Sequence, residues 1–125
     1  MSFGPSDVTV LIPTRDRLDL VLGAIESAQI QTVLAFEILI VDDGSTDGTA
    51  EAIQALTPTD TSIRIIPGPQ QGVGPARNAG LAACKTRLVC FLDSDDLLSA
   101  DALEQGLAEW REDDTMLVFS AVEFP

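Results

Sequence analysis

The stretch FEILIVDDGSTDGT, residues Phe36–Thr49, holds a predicted strand, a turn and the start of a helix. Its first part, Phe36–Val41, is apolar at nearly every position rather than at alternate positions. Such a continuous apolar run is typical of a strand covered on both faces, as in a parallel sheet flanked by helices. The turn DDGS follows, and Asp47 is a plausible N-cap for the next helix. The stretch therefore predicts one strand–helix unit of an α/β protein.

The alternation of strand and helix continues on both sides of this stretch. Further apolar runs predict strands at Val8–Pro13, Ile63–Ile66, Arg87–Leu92 and Met116–Val122. Apolar residues at helical spacing predict helices at Arg17–Gln31, Asp47–Leu56, Pro75–Cys84 and, after Ser99 as N-cap, Ala100–Glu112. This order favours an α/β fold with a mostly parallel sheet, flanked by helices and joined by right-handed crossovers. No linker divides the sequence, so we expect a single domain over residues 1–125.

Composition limits the partners and the chemistry. The net charge is −13, which disfavours nucleic acid and anionic membranes and favours a cation. The chain has no histidine, so a bound metal must be held by oxygen, which points to magnesium, manganese or calcium. Two cysteines do not make a disulfide framework and are expected to be reduced. No apolar run reaches the ~18 residues that span a bilayer, and no signal peptide is recognisable, so a cytoplasmic location is predicted.

Polar residues follow each of the first four predicted strands. They are Pro13-Thr14-Arg15, Asp42–Ser45, the glycine-rich loop before Arg77 and Asn78, and Asp93–Asp96. The carboxyl ends of parallel strands share one edge of the sheet, where open α/β proteins bind ligands. The sequence therefore predicts one binding site at this edge.

The acidic clusters at this edge need a compensating charge. Helix or turn capping explains one of Asp93, Asp95 and Asp96, but not all three. Neighbouring carboxylates destabilise one another unless a cation or donors compensate, and a D-x-D pair is half of a site for a hard divalent ion that also binds phosphate oxygens. One carboxylate of the doubled Asp42–Asp43 could accept hydrogen bonds from a base or a sugar.

The segment GVGPARNAGLA matches neither the dinucleotide fingerprint nor a phosphate-binding P-loop. Arg77 is predicted in the first turn of a helix, where the macrodipole does not favour a cation. An anionic or carbonyl-bearing ligand explains its position, and so does a salt bridge to Asp42, Asp43 or Asp93. A phosphatase that uses an Asp nucleophile is disfavoured, because the D-x-D follows the fourth strand and Lys85 precedes it. A structural domain without a ligand would not explain the clustering of charges.

Four segments together resemble the family 2 glycosyltransferases of the GT-A fold, which has a Rossmann-like nucleotide-sugar-binding sheet. They are VTVLIPTRDR, FEILIVDDGSTDGT, GVGPARNAGLAA and LVCFLDSDD, in this order and at these distances. The resemblance implies an inverting transferase that is metal-dependent (Mg²⁺ or Mn²⁺) and uses a nucleotide-diphosphate sugar, typically a UDP-sugar.

The resemblance also implies roles for individual residues. Pro13 and Thr14 would border the base, with Arg17 near it. Asp43 would hydrogen-bond the base, and Arg77 would lie against it. In the D-x-D element, Asp93 would approach the ribose or diphosphate and contribute to the metal site, Asp95 would ligate the metal, and Asp96 would accompany either.

The family places its general base downstream of the D-x-D element, so no catalytic residue is assigned in this chain. We expect a truncated GT-A domain that binds the donor and lacks the acceptor-binding portion, with the strand next to the fourth strand missing. The alternative is a nucleotide-sugar-binding module without turnover. An exposed sheet edge and the segment MLVFSAVEF predict a homo-oligomer. The acceptor is not identified.

Overall fold

The computed structural model describes residues 4–109 and the backbone of residues 118–119. A short 3₁₀ turn at Pro5–Asp7 leads into alternating strands and helices. The strands are β1 (Val8–Thr14), β2 (Glu37–Asp42), β3 (Ile63–Pro67), β4 (Leu88–Phe91) and β5 (Val118–Phe119). The helices are α1 (Leu18–Gln29), α2 (Thr49–Gln54), α3 (Val73–Ala83) and α4 (Ala102–Glu109). The remaining residues of the predicted fifth strand, Met116–Val122, lie outside the described residues.

All described strands pair in parallel, in the order β3-β2-β1-β4-β5. The α/β class with a parallel sheet flanked by helices is confirmed. The expectation that the position beside β4 lacks a strand is wrong, because β5 pairs with β4 there.

Both faces of the central strands are covered, as their continuous apolar sequences require. Alternate residues of β1 point to opposite faces. Val10 and Ile12 pack with Ile25 of α1 and Leu103 of α4, whereas Leu11 belongs to a second cluster with α3. Each central strand therefore contributes to two apolar layers, and this anchors the strand ends that form the site.

The predicted starts of α2, α3 and α4 are wrong. The helix α2 begins at Thr49, with Gly48 rather than Asp47 as its N-cap. The helix α4 begins at Ala102, and the Ser99 carbonyl, not its side chain, accepts a hydrogen bond from the Ala102 N–H at 3.1 Å. The helix α3 begins at Val73, so Pro75 is its third residue. The first N–H groups of a helix have no partner within the helix, so proline is tolerated there. Arg77 consequently lies in the second turn, and the macrodipole argument for a ligand does not apply to it.

Both cysteines are free: Cys90 is buried and Cys84 is half-buried. Burial raises the pKa of the Cys90 thiol to about 12, so it is a core residue with little thiolate at neutral pH. No helix within residues 4–109 is long and apolar enough to cross a membrane. The cytoplasmic location stays a prediction.

Candidate functional site

The ends of β1, β2 and β3 lie side by side, and this brings their loops together. Thr14 is opposite Asp42, and Asp42 is opposite Pro67. Beyond the strands, the Asp43 N–H donates to the Thr14 carbonyl and the Gly68 N–H donates to the Asp42 carbonyl, each at 2.9 Å. The polar loops predicted to share one edge of the sheet are therefore neighbours in space.

A cavity of about 230 Å³ opens at this edge. Its walls are Pro13, Thr14, Arg15, Arg17, Asp43, Gly72, Val73, Ala76 and Ser94. Four residues predicted to bind the nucleotide, Pro13, Thr14, Arg17 and Asp43, thus line one cavity. The predicted residues Arg77 and Asp93 are not in its walls, but each is next in sequence to a residue that is.

The two adjacent aspartates at the end of β2 have different surroundings. Asp42 closes a turn, because its Oδ1 accepts hydrogen bonds from the N–H (3.2 Å) and the hydroxyl of Ser45. Asp43 is only 4 % exposed, and its Oδ1 accepts a hydrogen bond from the Gln70 N–H at 2.6 Å. Asp43 is also the one of the pair that lines the cavity, so Asp42 is explained by local structure and Asp43 is available to a ligand.

Thr14 presents an unusual polar group in the cavity wall. Its hydroxyl oxygen is buried and has no hydrogen-bond partner among the described residues. Buried hydroxyls are nearly always paired, because an unpaired one loses the hydrogen bonds that it made to water. A ligand or water in the cavity would satisfy this hydroxyl.

The loops after β1 and β2 are joined by reciprocal hydrogen bonds. The Asp16 N–H donates to Ser45 Oγ at 2.9 Å, and the Thr46 N–H donates to Asp16 Oδ1 at 2.7 Å. Asp16 adopts a left-handed conformation, with φ 51°, which aspartate tolerates better than most residues. These contacts fix the loop that carries Arg15 and Arg17, and no sequence pattern indicated them.

The three aspartates after β4 converge. One carboxylate oxygen from each of Asp93, Asp95 and Asp96 lies within 4.8 Å of the others. The Asp96 N–H donates to the Asp93 carbonyl at 3.0 Å, so the D-x-D element forms a turn. Partial burial first, and then the charges of Asp95 and Asp93, raise the pKa of Asp96.

This arrangement fits a hard divalent cation. No described residue donates a hydrogen bond to the side chains of Asp95 and Asp96, so their oxygens are available. Mg²⁺ and Mn²⁺ prefer carboxylate oxygen ligands and keep positions for water or phosphate. A cation would also relieve the repulsion among the three carboxylates.

Arg77 forms an ion pair with Asp93, with 2.8 Å between Nη2 and Oδ1. One alternative left open by the sequence, a salt bridge from Arg77 to an aspartate of this edge, is therefore observed with Asp93. Both side chains are partly exposed, and such pairs contribute about 0–1 kcal/mol to stability. The pair places Arg77 beside the acidic turn rather than in the cavity wall.

The sequence model that defines glycosyl transferase family 2 matches residues 9–124, which is nearly the whole chain. The chain belongs to glycosyl transferase family 2. A family relative is an uncharacterized glycosyltransferase of Rickettsia felis, which is 38 % identical over 94 % of this chain. The family 2 chain spans 19 % of that relative's length.

Solved structures of glycosyltransferases share the GT-A fold of this family 2 chain. Staphylococcus aureus TarS 1-349 in complex with UDP has a TM-score of 0.73 and 26 % identity, covering 81 % of this chain and 31 % of that one. A mannosyltransferase of Pyrobaculum calidifontis in complex with GDP-Man and Mn²⁺ has a TM-score of 0.68 and 26 % identity, covering 78 % and 31 %.

Five residues in the cavity wall were given no individual role by the sequence, although Arg15, Ser94 and Gly72 belong to segments that were predicted to lie at this edge. Arg15 precedes a predicted helix and is a cation beside two predicted site residues, so its position in the sequence could have identified it. Ser94 lies between the two aspartates of the D-x-D element. Gly72, from the glycine-rich loop, and Val73 and Ala76, from the start of α3, complete the wall. Nothing in the residue types of Val73 and Ala76 indicates this position.

Proposed function

We propose that this chain is the donor-binding part of a metal-dependent, inverting glycosyltransferase that uses a nucleotide-diphosphate sugar, with UDP as the nucleotide. One observation carries the proposal: the three carboxylates after β4 converge at the edge of the sheet that also holds the cavity. Relatives of known structure with the same fold bind UDP in one case and GDP-Man with Mn²⁺ in another.

The two parts of the donor, its nucleoside and its diphosphate, bind in two regions of the site. The nucleoside binds in the cavity, against Pro13, Thr14, Arg17 and Asp43. Its polar contacts are the buried Asp43 carboxylate and the Thr14 hydroxyl, which has no partner among the described residues. Asp95 and Asp93 hold Mg²⁺ or Mn²⁺ at the rim.

A divalent ion held there would act as a Lewis acid and neutralise the negative charge that develops on the diphosphate leaving group. Arg77 lies beside Asp93 and orients this carboxylate through their ion pair. The family resemblance predicts that Arg77 lies against the base. We propose that Arg77 makes this contact only when a bound ligand draws its side chain away from Asp93.

Inversion requires a base that takes the proton of the acceptor hydroxyl on the opposite face of the sugar. We assign no residue of this chain to that step. The chain matches about a fifth of its Rickettsia relative, and we propose that acceptor binding and the base belong to the regions that it does not match. A chain that binds the donor without turnover is the second candidate, and it is favoured by the absence of an assigned base in the described cavity.

Calorimetric titration of UDP into the whole chain, with and without Mn²⁺, tests the proposal. UDP is expected to bind with Mn²⁺ and to bind at least about tenfold more weakly without it, because a charge-assisted contact is lost. Asp95→Asn should remove most of the difference between the two conditions, since it removes the charge that holds the metal.

Glu26→Gln is the matched control. It also removes one negative charge, but Glu26 lies exposed on α1, outside the cavity walls and the acidic cluster, so UDP binding should stay the same. Absence of UDP binding, or binding that responds neither to Mn²⁺ nor to Asp95→Asn, would contradict the proposal. Equal binding of GDP would refute only the preference for uracil.

We also propose that the chain forms a homo-oligomer through β5. The described part of β5 pairs with β4 on one side and has no strand on its other side among the described residues. Exposed strand edges favour pairing with another chain. Light scattering at micromolar concentration should give a mass above that of one chain, and a monomer would refute the proposal.

A further inference from the structure

Asp43 lines the cavity, and only one of its two carboxylate oxygens has a hydrogen-bond partner among the described residues. Oδ1 accepts a hydrogen bond from the Gln70 N–H at 2.6 Å, whereas Oδ2 has no hydrogen-bond partner among the described residues. The side chain is almost fully buried, so the position of Oδ2 depends on how the loop after β3 holds Oδ1.

Gly68, in that loop, lies directly against Asp43. A Cβ at position 68 would overlap Asp43 Oδ1 and would lie 3.2 Å from both Cα and Cγ of Asp43. The Gly68 N–H also donates to the Asp42 carbonyl at 2.9 Å, so the backbone cannot easily withdraw.

Glycine is required at position 68 because a side chain there would have no space beside Asp43. Three other glycines, Gly44, Gly48 and Gly72, have positive φ angles that favour glycine, but Gly68 does not. An alanine at position 68 would therefore not be strained by a left-handed backbone, and the three atoms nearest to its Cβ would all belong to Asp43.

We propose that Gly68 is a positioning residue of the nucleotide site: the absence of a side chain allows the Asp43 carboxylate to lie between the Gln70 N–H and the cavity. This inference rests on the proposed function, because it assumes that the nucleotide in the cavity donates a hydrogen bond to Asp43 Oδ2. Gly68 itself does not line the cavity, so it acts through Asp43.

The loop also connects Asp43 to another part of the cavity wall. Gln70 adopts a left-handed conformation, with φ 59°, and its N–H is held by Asp43. Gly72 and Val73, a few residues further along, form part of the cavity wall. A displaced Asp43 would therefore lose its ligand-facing position and would also release the segment that closes the cavity on this side.

The variant Gly68→Ala, in the whole chain, tests the inference. With Mn²⁺ present, its UDP affinity measured by calorimetry is expected to fall about tenfold or more, the usual effect of losing a hydrogen bond to a charged group. Gly74→Ala is the matched control from the same region. No atom lies within 4 Å of a Cβ at position 74, and the backbone there has no positive φ, so UDP affinity should remain at the wild-type value.

A double-mutant cycle with Asp43→Ala separates positioning from a general loss of structure. Once the carboxylate is removed, the overlap with Oδ1 is gone and only the 3.2 Å contact with the backbone Cα of residue 43 remains. Gly68→Ala should therefore lower the melting temperature and the remaining UDP affinity less than it does in the wild-type background. Equal effects of Gly68→Ala with and without Asp43 would overturn the inference, as would wild-type UDP affinity in Gly68→Ala.

The outcomes distinguish this inference from the proposed function. Failure of the wild-type chain to bind UDP would refute the proposed function, and with it the nucleotide role of Gly68. Wild-type binding that is unchanged by Gly68→Ala would refute the inference alone. A melting temperature that Gly68→Ala lowers more when Asp43 is present than in Asp43→Ala would support the contact between the two residues.

Discussion

The carboxylate of Asp47 joins the starts of two helices. Its Oδ2 accepts a hydrogen bond from the Leu18 N–H, the first of α1, at 3.1 Å. Its Oδ1 accepts hydrogen bonds from the N–H (3.1 Å) and the hydroxyl of Thr49, the first residue of α2. The N-cap of α2 is Gly48 rather than the predicted Asp47, but the Asp47 side chain still accepts hydrogen bonds from N–H groups that the helices leave unpaired.

These hydrogen bonds predict a pH-dependent contribution of Asp47 to stability. The Thr49 side chain first, and then the backbone N–H groups, lower the pKa of Asp47 below its usual value of 3.8. An acid whose pKa is lower in the folded state stabilises the fold above its unfolded pKa, and this contribution is lost as pH falls through the folded pKa. Asp47→Ala should therefore lower the melting temperature at about pH 7, and the difference from wild type should narrow below pH 3.8.

The comparison is made by thermal denaturation across this pH range. Glu26→Ala, on the exposed face of α1, is the control and should differ little from wild type at neutral pH. A melting-temperature difference for Asp47→Ala that persists or grows in acid would contradict this explanation.

At the scale of single residues, the sequence identifies which side chains can act at the site but not which groups they bond to in the folded chain. Turn chemistry alone does not explain the doubled Asp42–Asp43, and the structure separates the two through Ser45 and Gln70. Gln70 is far from Asp43 in sequence, and its approach depends on the pairing of β2 with β3. The unpaired Thr14 hydroxyl could not be predicted for the same reason, because it depends on what surrounds it after folding.

At the scale of the elements, two helical glycines have opposite surroundings. Gly80 in α3 is buried against β1 and β2, where a Cβ would overlap Leu11 and would lie 3.0 Å from Val41 Cγ2. Gly23 in α1 has only Leu97 Cδ2 near its Cβ position, at 3.6 Å, which is ordinary contact. The first glycine allows α3 to approach the sheet, whereas the second only costs helix propensity.

Alanine at these two positions should therefore act in opposite directions. Gly80→Ala is expected to lower the free energy of unfolding by about 1–3 kcal/mol, because overpacking forces the sheet and α3 apart. Gly23→Ala should raise it by roughly 0.5–1 kcal/mol, the usual gain of alanine over glycine within a helix. Urea denaturation measures both, and a Gly80→Ala variant as stable as wild type would contradict the close packing of α3.

The existence and type of the described strands and α-helices were predictable, but the 3₁₀ turn at Pro5–Asp7 and the starts of α2, α3 and α4 were not. Continuous apolar runs set the strands, and helical spacing set the helices between them. Ser99 and Pro75 are good residues for a helix start, yet α4 begins later than predicted and α3 earlier. A helix start depends on which N–H groups find partners in the folded chain, and single residues do not determine this.

At the scale of the whole molecule, parallel pairing converts distant segments into one site. The chain order of strands and helices predicted a shared edge, and the cavity lies between the loops that follow β1, β2 and β3, with Ser94 from the loop after β4. The order in which strands pair could not be predicted from their apolar sequences, since several are apolar enough to be central. The position of β5 beside β4 was therefore not predicted, and neither was the choice of Asp93 as the ion-pair partner of Arg77.

The central claim is that the acidic turn holds a divalent ion next to a nucleotide in the cavity. Crystals of the whole chain grown with UDP and Mn²⁺, measured at the manganese absorption edge, test it most directly. We expect an anomalous peak at coordination distance from the Asp95 carboxylate and the diphosphate, with the base beside Asp43. A manganese peak elsewhere, or UDP bound away from the turn formed by Asp93, Asp95 and Asp96, would contradict the claim.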